Sequence, residues 1–273
     1  MEAAKKATAF VILLSFIWNT SSAEDPTPEK PTRKPVKLPG MVIDFEKRSV
    51  DLEATVCLDR GFLELVACTK GSKEHESIVA VAARPIHIHT ALLLLGANNG
   101  NPAMRQQVGE EEKRWVNIPP RGDPIDAYLV FKNSDGRVIE RPVNDFITQS
   151  KERPDEIGVV ENRGEKNKAD EDNKFPHTFL FAGSHLRDNG KGPRQYLADL
   201  SGHVISIATF GDELLCLPGI QSHKNGALMW RVNPKHLPKV GTKVTLRLRP
   251  KKAKSFNAEP EGDGKNHTKP SGG

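Results

Sequence analysis

The sequence predicts a mainly β, β-rich α+β fold, with sandwich- or barrel-like sheets and one buried Leu-rich helix. Three observations carry that reading. Short alternating apolar–polar runs recur along the chain, turn-forming clusters separate them, and one segment has both the start and the stop signals of a helix.

The elements follow in order. Residues 1–23 have the layout of a secretory signal peptide: basic Lys5 and Lys6, an apolar run at 7–18, then small Ser21 and Ala23 before the cut. The run is short of the roughly 20 residues that cross a bilayer. With no later apolar segment of spanning length, the product is expected to be soluble, exported to the periplasm or beyond the cell, and not membrane-spanning. Residues 24–40, dense in Pro and Lys, read as an extended linker.

The folded region is expected over 41–250, as one domain. From 50 to 58, Val50, Leu52, Ala54, Val56 and Leu58 share one strand face, and Asp51, Glu53, Thr55, Cys57 and Asp59 the other. Residues 62–68 alternate in the matching sense, and Arg60-Gly61 between them reads as a two-residue hairpin loop. That register sets Val56 opposite Leu65 and Ala54 opposite Ala67. A strand at 77–83 follows, apolar on both faces and entered from the polar loop TKGSKE. The helix spans 86–95, with Pro85 in its first turn and Gly96 at its end. Further strands are predicted at 125–131, 137–141, 178–183, 195–198, 203–209, 227–232 and 243–248, and a second, shorter helix at 144–149. NSDGR at 133–137 and DLSGH at 199–203 are turn signals. Residues 151–176 form a polar stretch expected as a surface insertion, and 251–273 have too little to bury and are expected to be a disordered tail.

Charge narrows the function classes. Loss of residues 1–23 removes Glu2, Lys5 and Lys6, lowering the formal charge from +5 to +4. No block of Lys or Arg makes the clustered basic face that nucleic-acid binding requires. The partner is therefore expected to be a protein or a small-molecule ligand.

Three cysteines in an exported chain invite one disulfide and one remaining thiol. The hairpin register argues against Cys57–Cys68, setting them four residues apart along one face, about 13 Å at roughly 3.3 Å per residue. A bridge needs Cα atoms within about 7 Å. Either that hairpin does not form or the two are not bonded, and Cys216 could join either.

The candidate functional cluster is Cys68, Lys73, His75, Glu76, Ser77 and His89, where a buried strand starts from an exposed polar loop. Three chemistries are open. A transition metal (Zn, Cu or Fe) would need Cys68, His75 and His89 brought together in space, because no local ligand motif is present. His87 and His89 do not make a metal pair, since two helical residues lie about 200° apart. His89 shares a face with Leu92 and Leu93 and reads first as a hydrogen-bonded core histidine. Thiol chemistry would need the Cys68 pKa lowered, with Lys70, Lys73 and His75 at hand. Hydrolysis by a Cys–His pair lacks an assignable Asn or Asp to orient the histidine.

The segment CTKGSKEHES, followed by HTALLLLG, FLFAGS and YLADLSGHVISIA, resembles the YdjY-type domain of bacterial exported proteins, over about 42–250 with the mid-chain insertion aside. Cys68, Lys73, His75, Glu76, Ser77 and the 92–96 positions carry the pattern. The resemblance implies no settled activity. Some members carry a ferredoxin-like label, yet three cysteines at this spacing cannot build a four-cysteine cluster, so no iron–sulfur centre is expected. The expected function is a non-catalytic binding or scaffold module. The alternative is a metal or thiol–redox protein using Cys68, His75 and His89.

Overall fold

The computed structural model describes residues 34–109, 114–150, 175–176, 178–190, 192–220 and 230–251. The leader, most of the linker, the body of the 151–176 insertion and the tail past 251 lie outside the described residues.

Eleven strands join in one sheet. They are β1 (Val36–Leu38), β2 (Met41–Asp44), β3 (Ser49–Val56), β4 (Leu65–Thr69), β5 (Ser77–Val81) and β6 (Pro124–Lys132). Then follow β7 (Val138–Pro142), β8 (Thr178–Phe181), β9 (His203–Ser206), β10 (Leu215–Cys216) and β11 (Lys243–Pro250). Eight of them close a barrel in the order β3, β11, β6, β8, β10, β9, β4, β5, with β5 pairing back onto β3. The remaining three extend the sheet from β3 (through β2) and from β6 (β7).

Alternation decides what faces the interior. Val50, Leu52, Ala54 and Val56 of β3 are buried, as are Ile125, Ala127, Leu129 and Phe131 of β6 and Val244, Leu246 and Leu248 of β11. Helix α1 (Pro85–Leu94) adds Ile88, Ala91 and Leu92 to the same core, while Leu93 and Leu94 are exposed. Its first turn is held by Asp199 from α2 (Leu197–Ser201), which accepts from the Ile86 N–H at 2.9 Å and pairs with Arg84.

Strands β4, β5 and β9 are buried on both faces, and the connections explain why. β4 and β5 are parallel neighbours, with Leu65 opposite Ser77 and Thr69 opposite Val81. Parallel neighbours ordinarily need a crossover of a dozen or more residues; here residues 70–76 suffice. The inner side is filled by the core, so this short return lies across the outer side of β4 and β5. β9 and β10 repeat the device, parallel and joined by residues 207–214. The two returns meet where the Lys73 ammonium sits 5.1 Å over the Phe210 ring.

Four sequence expectations are corrected. The hairpin at Arg60-Gly61 does not form: β5 pairs with β3, and residues 61–63 bond to 230–232 instead, through Leu63 N–H to Trp230 O and Val232 N–H to Gly61 O. Residues 144–149 are a 3-10 turn (Val143–Phe146) followed by a strand (Ile147–Gln149) that pairs with Trp230–Val232. The strand expected at 195–198 stops at Tyr196, where α2 begins. Within the stretch read as a linker, Val36–Leu38 form the edge strand β1.

Candidate functional site

With the hairpin gone, Cys57 and Cys68 flank a single strand. The Cys57 N–H bonds to Ile78 O at 2.9 Å on one side of β5, and Cys68 lies opposite Ala80 on the other. Both side chains fall on the outer, polar-alternating side of their strands. There Leu65, Cys68 and Ala80 form a small buried cluster, distinct from the main core, with Cys57 and Phe210 packed against it. The hairpin that set these cysteines four residues apart is overturned, while the expectation that they are not bonded to each other holds: both are free thiols.

The Cys68 sulfur is fully buried and ringed by donors. The Cys57 thiol, the Ser77 hydroxyl, the Lys73 backbone N–H and the Ser72 hydroxyl are the nearby donors that favour its ionised form. These donors, Cys57 foremost, outweigh burial and lower the Cys68 pKa to about 6. The Cys57 pKa is pushed well above the thiol range, by hydrogen bonding toward Cys68 first, then by burial and by the charge of Cys68. Ionisation is thus favoured at Cys68 and disfavoured at Cys57. The Cys57 S–H donates to Ser77 O at 3.1 Å. The two serine hydroxyls also have carbonyl alternatives, Lys73 O at 2.7 Å for Ser77 and Thr69 O at 2.6 Å for Ser72. They can turn toward the sulfur when it is ionised and away when it is not.

The first return is pinned so that this cage persists. Lys73 Nζ pairs with Glu76 and lies 3.8 Å from Glu64, while the Glu64 N–H bonds to Glu76 O. Gly202, at φ +82°, lets β9 approach closely: an added methyl would collide with Ser72 and Thr69. Under the second return, His203 lies across from Cys68 on the neighbouring strand. Its Nδ1 meets Asp212 Oδ1 at 2.6 Å, Phe210 stacks on its ring at 4.2 Å, and its buried Nε2 has no hydrogen-bond partner. Burial raises the Asp212 pKa, but the hydrogen bond and charge of His203, with the Ser201 hydroxyl and the backbone, together leave the carboxyl below its ordinary value.

The other sequence candidates fall in different places. His75 is exposed on the return, 3.7 Å from Glu76. His89 belongs to the core: its Nδ1 meets Tyr196 Oη at 2.9 Å, its ring stands edge-on to Phe181, and Tyr196 in turn donates to Gly183 O. Cys68, His75 and His89 are therefore not assembled as a ligand set. Among the described residues, no group of three or more His, Cys, Asp or Glu is placed to hold a metal ion. Cys216 is a buried free thiol whose pKa burial pushes up to about 12.

Of the sequence candidates, Cys68, Ser77 and Lys73 join the cage directly and Glu76 steadies it. Cys57, Ser72 and the His203–Asp212 pair were missed. A signal for Cys57 existed: it and Cys68 share the same outward parity on successive strands.

A groove of about 910 Å³ opens on the outer side of the sheet, lined by Thr55, Lys70, Ala80, Ala82, Lys132 and Lys243 among others. Ala80 belongs both to this groove and to the cysteine cluster.

The family model of the YdjY domain matches residues 41–249, most of the chain. No curated protein matches the chain, and no solved structure does.

Proposed function

The chain belongs to the YdjY domain family, and from the geometry of its thiol pair we propose that it is an exported binding protein whose functional centre is Cys57–Cys68. One observation carries the reading: two unbridged cysteines, Cys57 and the fully buried Cys68, pack in one small cluster apart from the main core. A merely structural buried cysteine sits in apolar surroundings and stays protonated, as Cys216 does. Placement outside the cytoplasm is part of the proposal and rests on the leader-like residues 1–23.

Reversible disulfide formation is the less favoured chemistry for the pair. One strand intervenes, and two strand spacings amount to about 9.6 Å, beyond the roughly 7 Å that a bridge spans. Closing it would require the end of β3 to move toward β4.

The test is an ultraviolet titration of thiolate absorbance on the reduced full chain in a Cys216→Ser background. One thiolate should form with a midpoint near pH 6, as the Cys68 sulfur's lowered pKa requires. Cys57→Ala should move that midpoint upward by removing the leading donor. Two independent midpoints in the ordinary thiol range would sink the proposal.

A further inference from the structure

We infer that the groove on the outer side of the sheet binds one elongated dianion, an organic molecule with an acidic group at each end and an apolar body between. The site shares only Ala80 with the cysteine cluster and is independent of the thiol-pair reading.

Charge is distributed unevenly along this sheet face. Antiparallel register arranges the outward residues of β3, β11 and β6 in rows, one of which sets Asp51 opposite Arg247 and Arg247 opposite Tyr128. Here Arg247 pairs with Asp51 and Glu140, Arg249 also pairs with Glu140, and Lys251 pairs with Asp126, so each of these bases has an acid. Toward the other end of the same strands the compensation stops. Lys243 lies opposite Thr55, and the β6–β11 register carried two residues past Val130–Thr245 sets Lys132 opposite Lys243. Like charges directly opposite on neighbouring strands cost stability. Lys70, Lys132 and Lys243 line the groove, all three are exposed, and among the described residues none of them makes an ion pair. Glu53 is the only acid lining the groove among the described residues. Three lysines against one carboxylate leave it positive, which draws anions in.

Between the lysines the outward side chains are small or apolar. Ala82 follows β5, Thr55 and Thr245 come from β3 and β11, Val130 from β6, and Val138 of β7 is 67% exposed. A water-facing sheet side ordinarily carries polar residues at such positions. Short side chains here leave a space of about 910 Å³, within the range of small-molecule sites. An apolar body laid on this floor is removed from water, and lysine stems cover it while their ammonium groups reach its ends.

Spacing sets the length. Lys70 is tied to the end of β5 by its N–H to Val81 O at 3.0 Å, and Lys132 lies on β6. The order β5, β3, β11, β6 puts three strand spacings, about 14 Å, between them. Positive charge thus stands at both ends of a path that crosses the strands over the apolar floor. A small anion neutralises one end, whereas a dianion of that length reaches both.

The test is calorimetric titration of the reduced full chain with dodecanedioate, whose extended length matches the span, and with the bisphosphate of α,ω-dodecanediol. Dodecanoate and inorganic phosphate serve as one-ended controls, at low and at high salt. One dianion per chain is expected, bound about tenfold or more tightly than either control and weakening as salt rises. The carboxylate and phosphate arms tell which acidic group the site prefers. Lys70→Gln and Lys132→Gln should each weaken the dianion about tenfold, to the level of dodecanoate, while Lys70→Arg and Lys132→Arg retain it. In the unliganded chain Lys243→Gln should raise the urea midpoint, because it relieves the opposed pair, and yet it should weaken the dianion.

Dodecanoate or phosphate binding as tightly as the dianions overturns the inference, as does dianion binding that ignores salt or survives both glutamine substitutions. A Lys243→Gln chain with a lowered urea midpoint removes the uncompensated charge on which the site is built. No binding of either dianion overturns the inference outright and leaves the thiol titration above unaffected.

Discussion

The lowered Cys68 pKa makes stability depend on pH in a direction that can be worked out. Cys68 has a pKa of about 6 when folded and about 8.5 when unfolded. Between these values the unfolded chain binds more protons, so stability rises with pH. The contribution is complete above the unfolded pKa and is lost as pH falls through the folded one. Over the window from about pH 5 to about pH 8 it amounts to about 2–3 kcal/mol. Above that window Cys57 reverses the slope, because the unfolded chain ionises it while the folded pair resists. The perturbation is Cys68→Ser, and the assay is urea unfolding of both proteins across that pH range, with reductant present. Histidines and carboxylates titrate equally in both, so the difference between the two curves isolates Cys68. The wild type should gain about 2–3 kcal/mol relative to the variant from the acid to the neutral end. Parallel curves would refute the donor cage, whatever the absolute stabilities.

Three further perturbations test the supports around it. Gly202→Ala should lower stability by about 2 kcal/mol, through the positive φ and the overlap with Ser72 and Thr69, and should raise the Cys68 titration midpoint by displacing Ser72; an unchanged midpoint would count against Ser72 as a donor. Tyr196→Phe removes the hydroxyl that joins His89 to Gly183 and should cost about 1–2 kcal/mol in denaturant unfolding while leaving thiol titration unmoved. Arg247→Ala breaks paired contacts to Asp51 at 2.6 Å and Glu140 at 2.7 Å on the outer side of β3 and β11. It should cost about 1–3 kcal/mol, measured by the shift in urea midpoint, with a smaller loss at high salt.

The site was half legible. TKGSKEHES was marked by its polarity next to an apolar strand, and Cys68, Lys73 and Ser77 prove to be parts of one cage. Cys57 was set aside on a register argument that was sound for a hairpin and wrong for a strand that takes another partner. His203 and Asp212 are nine residues apart, joined by a return that the sequence read as the rest of a strand. Nothing local marks a histidine on an apolar run as lying across from a cysteine more than a hundred positions earlier.

Local periodicity by itself determined the strands β3, β5, β6, β7 and β11, the inward side of β3, and helix α1 with Pro85 at its start and Gly96 at its end. These follow from steric and solvation preferences that act over a few residues. Only the tertiary structure decided which strands are neighbours. An alternating strand can bury its apolar side against any partner, so a period of two specifies a face and leaves the neighbour open. The insertion of β5 between β3 and β4 was settled by the closing of the barrel and by the pairing of residues 61–63 with 230–232. That single choice brought two thiols together beneath one short return.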